Sequence, residues 1–242
     1  MGITLTIDGK EVEASEGENL IDVAADNGVY IPSLCYVRGK PCLGTCRVCT
    51  AKVNGYPAAS CTVIVAEGME VEVDNDPQIK DMRKALVEFN FTEGNHNCPS
   101  CEKSGRCDLQ AVGYEVGMMV SRFPYRFPVR VRDNVSDHIF LERDRCIFCQ
   151  RCVEFVRDKE TNQKIFTIRK RGSIALIDID IKLANKMSLE QVREASELCP
   201  VGCIIDKNKG YDDPIGKRKY DIKSIKERVL EEGEKTNEPS SK

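Results

Sequence analysis

Twelve residues of the chain fall into three groups of four whose types and spacing suit them to bind metal. Cys35, Cys46, Cys49 and Cys61 stand in the pattern C-x10-C-x2-C-x11-C. A CxxC pair on a loop with an outlying Cys on each side can hold a [2Fe–2S] rhombus, two thiolates to each iron. The gap from Cys35 to Cys46 departs from the plant-type ferredoxin spacing. The competing assignment is a four-cysteine zinc site, which more often carries two CxxC pairs. His96, Cys98, Cys101 and Cys107 form H-x-C-x2-C-x5-C, and three thiolates with an imidazole suit either a [4Fe–4S] cubane or a structural zinc.

The third group is the most specific. Cys146-x2-Cys149-x2-Cys152 is the CxxCxxC run of a [4Fe–4S] ferredoxin, with Val156 where a fourth Cys would stand. In a two-cluster ferredoxin the last Cys of each run, followed by Pro, serves the other cluster. Cys199-Pro200 is one such ending, and the three positions that should precede it hold Leu189, Val192 and Ala195. One run has lost the Cys that would serve a second cluster, and the other has lost its own three. One complete set survives: Cys146, Cys149, Cys152 and Cys199. Leu189, Val192 and Ala195 lie at helical spacing and are expected to fill the vacated space with apolar core. Cys42 and Cys203 fall outside the three groups; each fits a small buried residue near a cluster, Cys203 is also an alternative ligand though crowded by Cys199, and the roles of both stay open. His138 lies outside any ligand spacing and reads as a surface or linker residue.

Composition narrows the classes that remain. The 242 residues include 13 Cys, no Trp and a formal charge of −3, which argues against nucleic acid as a partner. No apolar run approaches the length of a membrane helix and no secretory segment follows Met1. The expected compartment is therefore the reducing cytoplasm, where many cysteines usually mean metal rather than disulfides. Met1-Gly2-Ile3-Thr4-Leu5-Thr6 fits a myristoylation pattern, but the alternation of Ile3, Leu5 and Ile7 with Thr4 and Thr6 reads as a strand.

The elements that must position these donors follow from periodicity and caps. Residues 1–76 read as two strands, a helix capped by Asn19, a long Cys-bearing loop, and strands over Val48–Val53 and Met69–Val73. Leu20, Ile21, Val23 and Ala24 supply the buried face of that helix. A second helix is predicted from Asp76 to Phe89, with Pro77 in its first turn and Ile79, Met82, Leu86 and Phe89 on one face. It opens a segment, 77–121, that carries the His96 group. Residues 122–136, rich in Arg, Phe and Pro, read as an extended linker whose four arginines through Arg132 either mark a partner surface or are solvated charges. Residues 137–210 carry the third group. Residues 211–242 read as a polar tail with one helix near Ile222–Glu231 that could dock on a partner.

Leu34-Cys35-Tyr36, Gly44-Thr45-Cys46-Arg47-Val48-Cys49, Glu93-Gly94-Asn95-His96, Cys107-Asp108-Leu109-Gln110, Arg145-Cys146-Ile147-Phe148-Cys149-Gln150-Arg151-Cys152 and Cys199-Pro200-Val201-Gly202 carry a family resemblance. Over about residues 1–210 the chain resembles the iron–sulfur diaphorase subunit of NAD(P)-reducing hydrogenases, and the N-terminal part of the large iron–sulfur subunit of respiratory complex I. The resemblance implies an α+β chain: a β-grasp [2Fe–2S] ferredoxin domain, a small helical cluster domain with one His and three Cys ligands, and a degenerate bacterial-ferredoxin-like [4Fe–4S] domain. It also implies one [2Fe–2S] cluster in the first group and [4Fe–4S] clusters in the other two, with His96 on iron. The complex I pattern has its histidine four residues before the first Cys of the second group. Gly94 occupies that place here, and His96 stands two before, as in the hydrogenase-associated relatives.

No dinucleotide fingerprint, P-loop or Ser/His/Asp arrangement is present to act on a substrate. The expected function is electron transfer between a flavoprotein NAD(P)H subunit and the small and large subunits of a hydrogenase (or another terminal oxidoreductase), in a hetero-oligomer. The same wiring in a formate dehydrogenase or complex I type assembly is the alternative of the same class, and a multi-zinc interaction scaffold is the alternative of another. A neutral imidazole in place of a thiolate is expected to raise the potential of the His96 cluster, as in Rieske centres.

Overall fold

The fold is described from a computed structural model, in which residues 2–237 are placed. The chain divides into two compact units. One comprises the residues up to Glu88, Ala111–Val120 and the residues from Lys223 on; the other comprises Phe89–Gln110 and Ser121–Ile222.

The first unit is built on a five-stranded mixed sheet. Its strands are β1 Gly2–Ile7, β2 Lys10–Ser15, β3 Thr50–Val53, β4 Tyr56–Ala59 and β5 Glu70–Glu72, in the order β2-β1-β5-β3-β4. β1 runs antiparallel to β2 and parallel to β5, and β3 is antiparallel to both of its neighbours. The expected alternation holds: Leu5 and Ile7 are buried in a core shared with Val12, Ala51 and Val71. Helix α1, Leu20–Asp26, lays Leu20, Val23 and Ala24 on that core. Between α1 and β3 the chain makes the long loop that bears Cys35, Cys42, Cys46 and Cys49.

Asn19 caps α1 as its residue type predicts, its side-chain oxygen accepting from the Ile21 amide at 3.1 Å. The same side chain donates through Nδ2 to the Cys61 carbonyl at 2.7 Å, so one residue ties the helix start to the last donor of the first group. Asn19→Ala is expected to lower stability by about 1–2 kcal/mol, read by urea denaturation followed at the visible absorption of the first centre.

Helix α2, Pro77–Thr92, runs three residues past its predicted end, starting in the first unit and ending in the second. The predicted face is only partly correct. Ile79 is buried, but Met82 and Phe89 are 40% and 45% exposed. The buried line instead runs through Ile79, Arg83 and Val87, spaced i, i+4 and i+8. Arg83 replaces the expected apolar residue because its guanidinium finds backbone acceptors, donating from Nε to the Thr50 carbonyl at 2.7 Å and from Nη2 to the Val73 carbonyl.

Helix α3, Asp108–Glu115, begins in the second unit. That unit further holds β6 Ile139–Leu141, α4 Arg151–Phe155, β7 Phe166–Arg169, β8 Leu176–Ile179, α5 Ile181–Ala184, α6 Leu189–Leu198, β9 Ile204–Asp206 and α7 Lys219–Ile222. β6 pairs antiparallel with β9, and β7 with β8. Val192 and Ala195 of α6 are buried as expected, whereas Leu189 is 48% exposed. Leu189 is the first residue of the helix, between Ser188 and Gln191 of the capping box, and its side chain lies off the packed face.

The segment 122–136 is extended, and Arg126 and Arg132 pair with the unit's own carboxylates while their side chains stay 73% and 62% exposed. The Arg130 amide donates to Asp144 at 2.5 Å and Arg132 pairs with Glu142 at 2.9 Å. The helix expected near the C-terminus is present as α8, Ile225–Asn237. It belongs to the first unit and packs on α1, where a Cβ at Gly233 would come within 2.6 Å of the Ala25 carbonyl oxygen. The residues beyond 237, read as tail, lie outside the described residues.

Candidate metal centres

The first group forms where the loop after α1 meets β3 and a 3-10 turn. Gly39 and Gly44, with φ of 73° and 60°, and Arg47, with φ of 59°, let the loop double back so that Cys46 and Cys49 face Cys35. Cys61 sits in the turn Ser60–Thr62. Cys35, Cys49 and Cys61 are fully buried. The four sulfurs form one hydrogen-bonded set: the Cys46 and Cys61 thiols hold Cys35 well below the ordinary thiol range, and Cys61 does the same for Cys49. Arg83, missed in the sequence, braces this site through the carbonyl of Thr50, the residue after Cys49. An arginine at an i+4 position of an otherwise apolar helix face was the available signal.

Cys42 is exposed rather than buried as expected, because it lies on the loop's outer turn, though its thiol still reaches Cys61. Its exposure leaves it off the enclosed set. Cys42→Ser is expected to leave the iron content and the spectrum of the first centre unchanged; loss of that signal would move Cys42 into the ligand set.

In the second group, His96 follows the last turn of α2. Its ring is largely enclosed, and burial, helped by Arg145, pushes its pKa down to about 4, so the imidazole is neutral at pH 7 with a lone pair to give. The Asn90 backbone hydrogen-bonds the ring, and the Phe91 ring meets it edge-on with centroids 5.5 Å apart. Nε2 is buried without a hydrogen-bond partner. An imidazole fixed through one nitrogen and bare at the other is the arrangement of a metal-ligating histidine.

Cys98 opens the 3-10 turn Cys98–Ser100 and Cys101 follows it, and Cys107 precedes α3, whose Gln110 amide donates to its sulfur at 3.4 Å. Arg145 links the group, acting electrostatically on His96, Cys98 and Cys101. Burial pushes the Cys98 and Cys107 thiols above their ordinary range. Such thiols would release their protons to solvent when a cation binds sulfur and compensates the buried charge.

The third group winds through two left-handed residues, Phe148 at φ 52° and Gln150 at φ 64°, which coil the CxxCxxC run around a common centre. Cys152 lies in the first turn of α4 and Cys199 caps the end of α6. Cys152 acts electrostatically with Cys149, Cys199 and Cys146, so all four donors share one neighbourhood. Backbone amides point at the sulfurs: Phe148 to Cys146 at 3.4 Å, and Val201 and Ile204 to Cys199. Val156, in the vacant fourth position, is buried, as is Cys203, whose thiol bonds Cys146 and holds it down. Cations carried by the chain surround the sulfurs. Lys103, Arg143 and Arg151 are buried and Arg145 half-buried, with carboxylate partners Glu197, Asp133 and Asp178, Asp108, and Glu102. These cations too were missed, because no spacing rule marks them.

Among the described residues, no three His, Cys, Asp or Glu donors converge closely enough to hold a single metal ion. The donor chemistry, soft thiolates with backbone amides aimed at sulfur and one bare imidazole nitrogen, fits iron–sulfur clusters.

Fold and site together define an α+β iron–sulfur protein of the electron-relay class, with a [2Fe–2S]-type domain ahead of ferredoxin-like [4Fe–4S] domains. Three family models match in series: a 2Fe-2S iron-sulfur cluster binding domain over residues 1–76, the NADH-ubiquinone oxidoreductase-G iron-sulfur binding region over 83–122, and the ferredoxin-like domain of NADH-quinone oxidoreductase subunit 3 over 136–205. The chain is 68% identical to the gamma subunit of the NAD-reducing hydrogenase HoxS of Cupriavidus necator, over 96% of this chain and 98% of that one. It is 31% identical to a subunit of the NADH-quinone oxidoreductase of Rhizobium meliloti, over 84% of this chain but only 24% of that one. A chain in the crystal structure of an NAD+-reducing [NiFe]-hydrogenase in the H2-reduced state superposes with a TM-score of 0.84 at 31% identity, covering 94% of this chain and 98% of that one. The chain belongs to the family of iron–sulfur electron-relay subunits of NAD(P)-reducing hydrogenase-type complexes.

Proposed function

We propose that this chain carries electrons between a flavoprotein subunit that handles NAD(P)H and the small and large subunits of a hydrogenase, in a cytoplasmic hetero-oligomer. The observation that carries the reading is the match to the HoxS gamma subunit over 98% of its length, against 24% of the NADH-quinone oxidoreductase subunit of Rhizobium meliloti. That contrast favours the hydrogenase assembly over the complex I type. Among the described residues no helix is long and apolar enough to cross a membrane, and thiols kept for iron suit a reducing compartment.

Cys35, Cys46, Cys49 and Cys61 would hold a [2Fe–2S] cluster; His96, Cys98, Cys101 and Cys107 would hold one [4Fe–4S] cluster, and Cys146, Cys149, Cys152 and Cys199 a second. When bound, each cluster supplies a one-electron couple. In this reading residues 1–76, 77–121 and 137–210 are the three cluster domains, 122–136 the linker and 211–242 the C-terminal segment. The chain's own residues orient the donors, exclude water from the buried thiols, and set the local field. The amides on Cys107, Cys146 and Cys199 and the paired cations Lys103, Arg145 and Arg151 all stabilise negative charge on sulfur, which favours the reduced state.

The test is iron, acid-labile sulfide and zinc content of anaerobically purified protein, with EPR after reduction. About ten irons with matching sulfide, and both [2Fe–2S] and [4Fe–4S] signals, is the expected result. About six irons with one zinc would make the His96 group structural. Zinc alone would overturn the electron-transfer reading.

A further inference from the structure

Glycine loses more backbone freedom on folding than any other residue, so its presence needs a local reason. For twelve glycines of this chain that reason is a positive φ. Gly94 and Gly202 are not among them, and an alanine could adopt the backbone at either position. What fills the space of the missing side chain is different. A Cβ at Gly94 would stand 2.3 Å from His96 Nε2 and 2.6 Å from His96 Cδ2. A Cβ at Gly202 would stand 2.8 Å from Cys101 Sγ, with Arg145 Nη1 and Lys103 Cβ each at 3.2 Å. The shortest contact at each position falls on a donor atom of the second group, and a Cβ at Gly94 would also meet the Asp144 carbonyl oxygen at 3.2 Å.

We propose that Gly94 and Gly202 are positioning residues for the His96 group, each leaving out a Cβ so that one donor atom can rest against bare main chain. The inference rests on His96 and Cys101 being ligands, as proposed above.

Neither donor can retreat cheaply. The His96 ring is held by the Asn90 backbone and the Phe91 ring. Cys101 has a single rotatable bond, so its sulfur cannot withdraw while keeping its aim. Ordinary contact requires about 3.5 Å or more. An alanine at 94 would therefore push the imidazole nitrogen back by roughly 1 Å, whereas metal–ligand distances hold to about 0.2 Å. Gly202 is also anchored, its carbonyl accepting from the same Arg145 Nη1 at 3.3 Å. The substituted main chain therefore has little freedom to give way instead.

The mechanism is steric, so it must depend on the side chain that is displaced. The experiment compares Gly94→Ala, His96→Ala, the double variant and Gly202→Ala, each purified anaerobically in the full chain. Iron content, EPR of the reduced protein and thermal midpoint are measured for all four. Gly94→Ala is expected to lose or shift the signal that His96→Ala loses, with iron falling from about ten to about six where the cluster is lost and the [2Fe–2S] signal kept. Placed on His96→Ala, the Gly94→Ala change should lower the thermal midpoint no further. Gly202→Ala should perturb the same signal.

Wild-type g-values and iron in Gly94→Ala would overturn the proposal for that residue. So would an equal drop in midpoint with and without His96. A Gly94→Ala protein that fails to fold supports the proposal if the double variant folds, and overturns it if the double variant fails too. Gly202→Ala that alters only the signal of the Cys199 group would overturn the role of Gly202. If His96→Ala itself keeps every signal, the ligand assignment has failed rather than the steric argument.

Discussion

Cys149→Ser is expected to remove the third cluster and stop NAD(P)H-linked electron transfer through the assembled complex, while the [2Fe–2S] signal stays intact. Position 149 is buried, and burial already pushes its thiol above the ordinary range. A serine hydroxyl is a far weaker acid than a thiol, so the alkoxide needed to replace the thiolate would be more costly still. The site would then have three thiolates and a retained proton. Iron should fall by about four per chain, and turnover by at least about 100-fold, more than is usual when only a ligand's hydrogen-bond partner is removed. The [2Fe–2S] signal serves as the internal control, because Cys35, Cys46, Cys49 and Cys61 belong to the other compact unit. Electron transfer at the wild-type rate with that iron missing would place the Cys149 cluster off the path.

What the sequence made legible is what local rules govern. Asn19 as a cap, the alternation of β1, and a helix with Pro77 in its first turn each depend on neighbours within a few residues, and each is present. The candidate donors stood out for a related reason: thiolates around one cluster come in short runs, so spacing alone proposes Cys146, Cys149 and Cys152. Features decided over long distances were not legible. Met82 and Phe89 follow a helical apolar period yet are partly exposed, while Arg83 takes the buried place because the Thr50 and Val73 carbonyls are there to receive it. α8 was expected to be free for a partner, but it packs on α1 of its own chain, through a close approach at Gly233 that no helical pattern announces. Gly94 and Gly202 likewise look unremarkable as letters. Their meaning appears only when His96 and Cys101 are seen in the space a Cβ would need.

Arg143→Ala tests the most deeply buried of these long-range features. Arg143 is 2% exposed, and all three guanidinium nitrogens are used. Nε donates to the Ile177 carbonyl at 2.6 Å, Nη1 to the Val131 carbonyl at 2.8 Å, and Nη2 to Asp133 and Asp178 at 3.0 Å each. The side chain thus ties the segment before β6, strand β8 and the turn that delivers Cys146. Truncation leaves two carbonyls and two partly buried carboxylates short of a donor. Asp178 keeps Arg169 at 3.1 Å, so the uncompensated charge falls mainly on Asp133. Breaking a buried pair from one side typically costs about 3–5 kcal/mol, which for a unit of this size is a fall of roughly 10 °C or more in thermal midpoint. Arg143→Lys should recover only part of it, because an ammonium cannot reach four acceptors set around a planar fork. Because Cys146 is three residues on, the signal of the third cluster should broaden in Arg143→Ala even in folded protein, with the first cluster unchanged. Anaerobic thermal denaturation followed by circular dichroism, with EPR on the same samples, checks both. A shift under about 3 °C, equivalent to roughly 1 kcal/mol, would mean that water replaces the guanidinium and that the segment is held by its backbone alone.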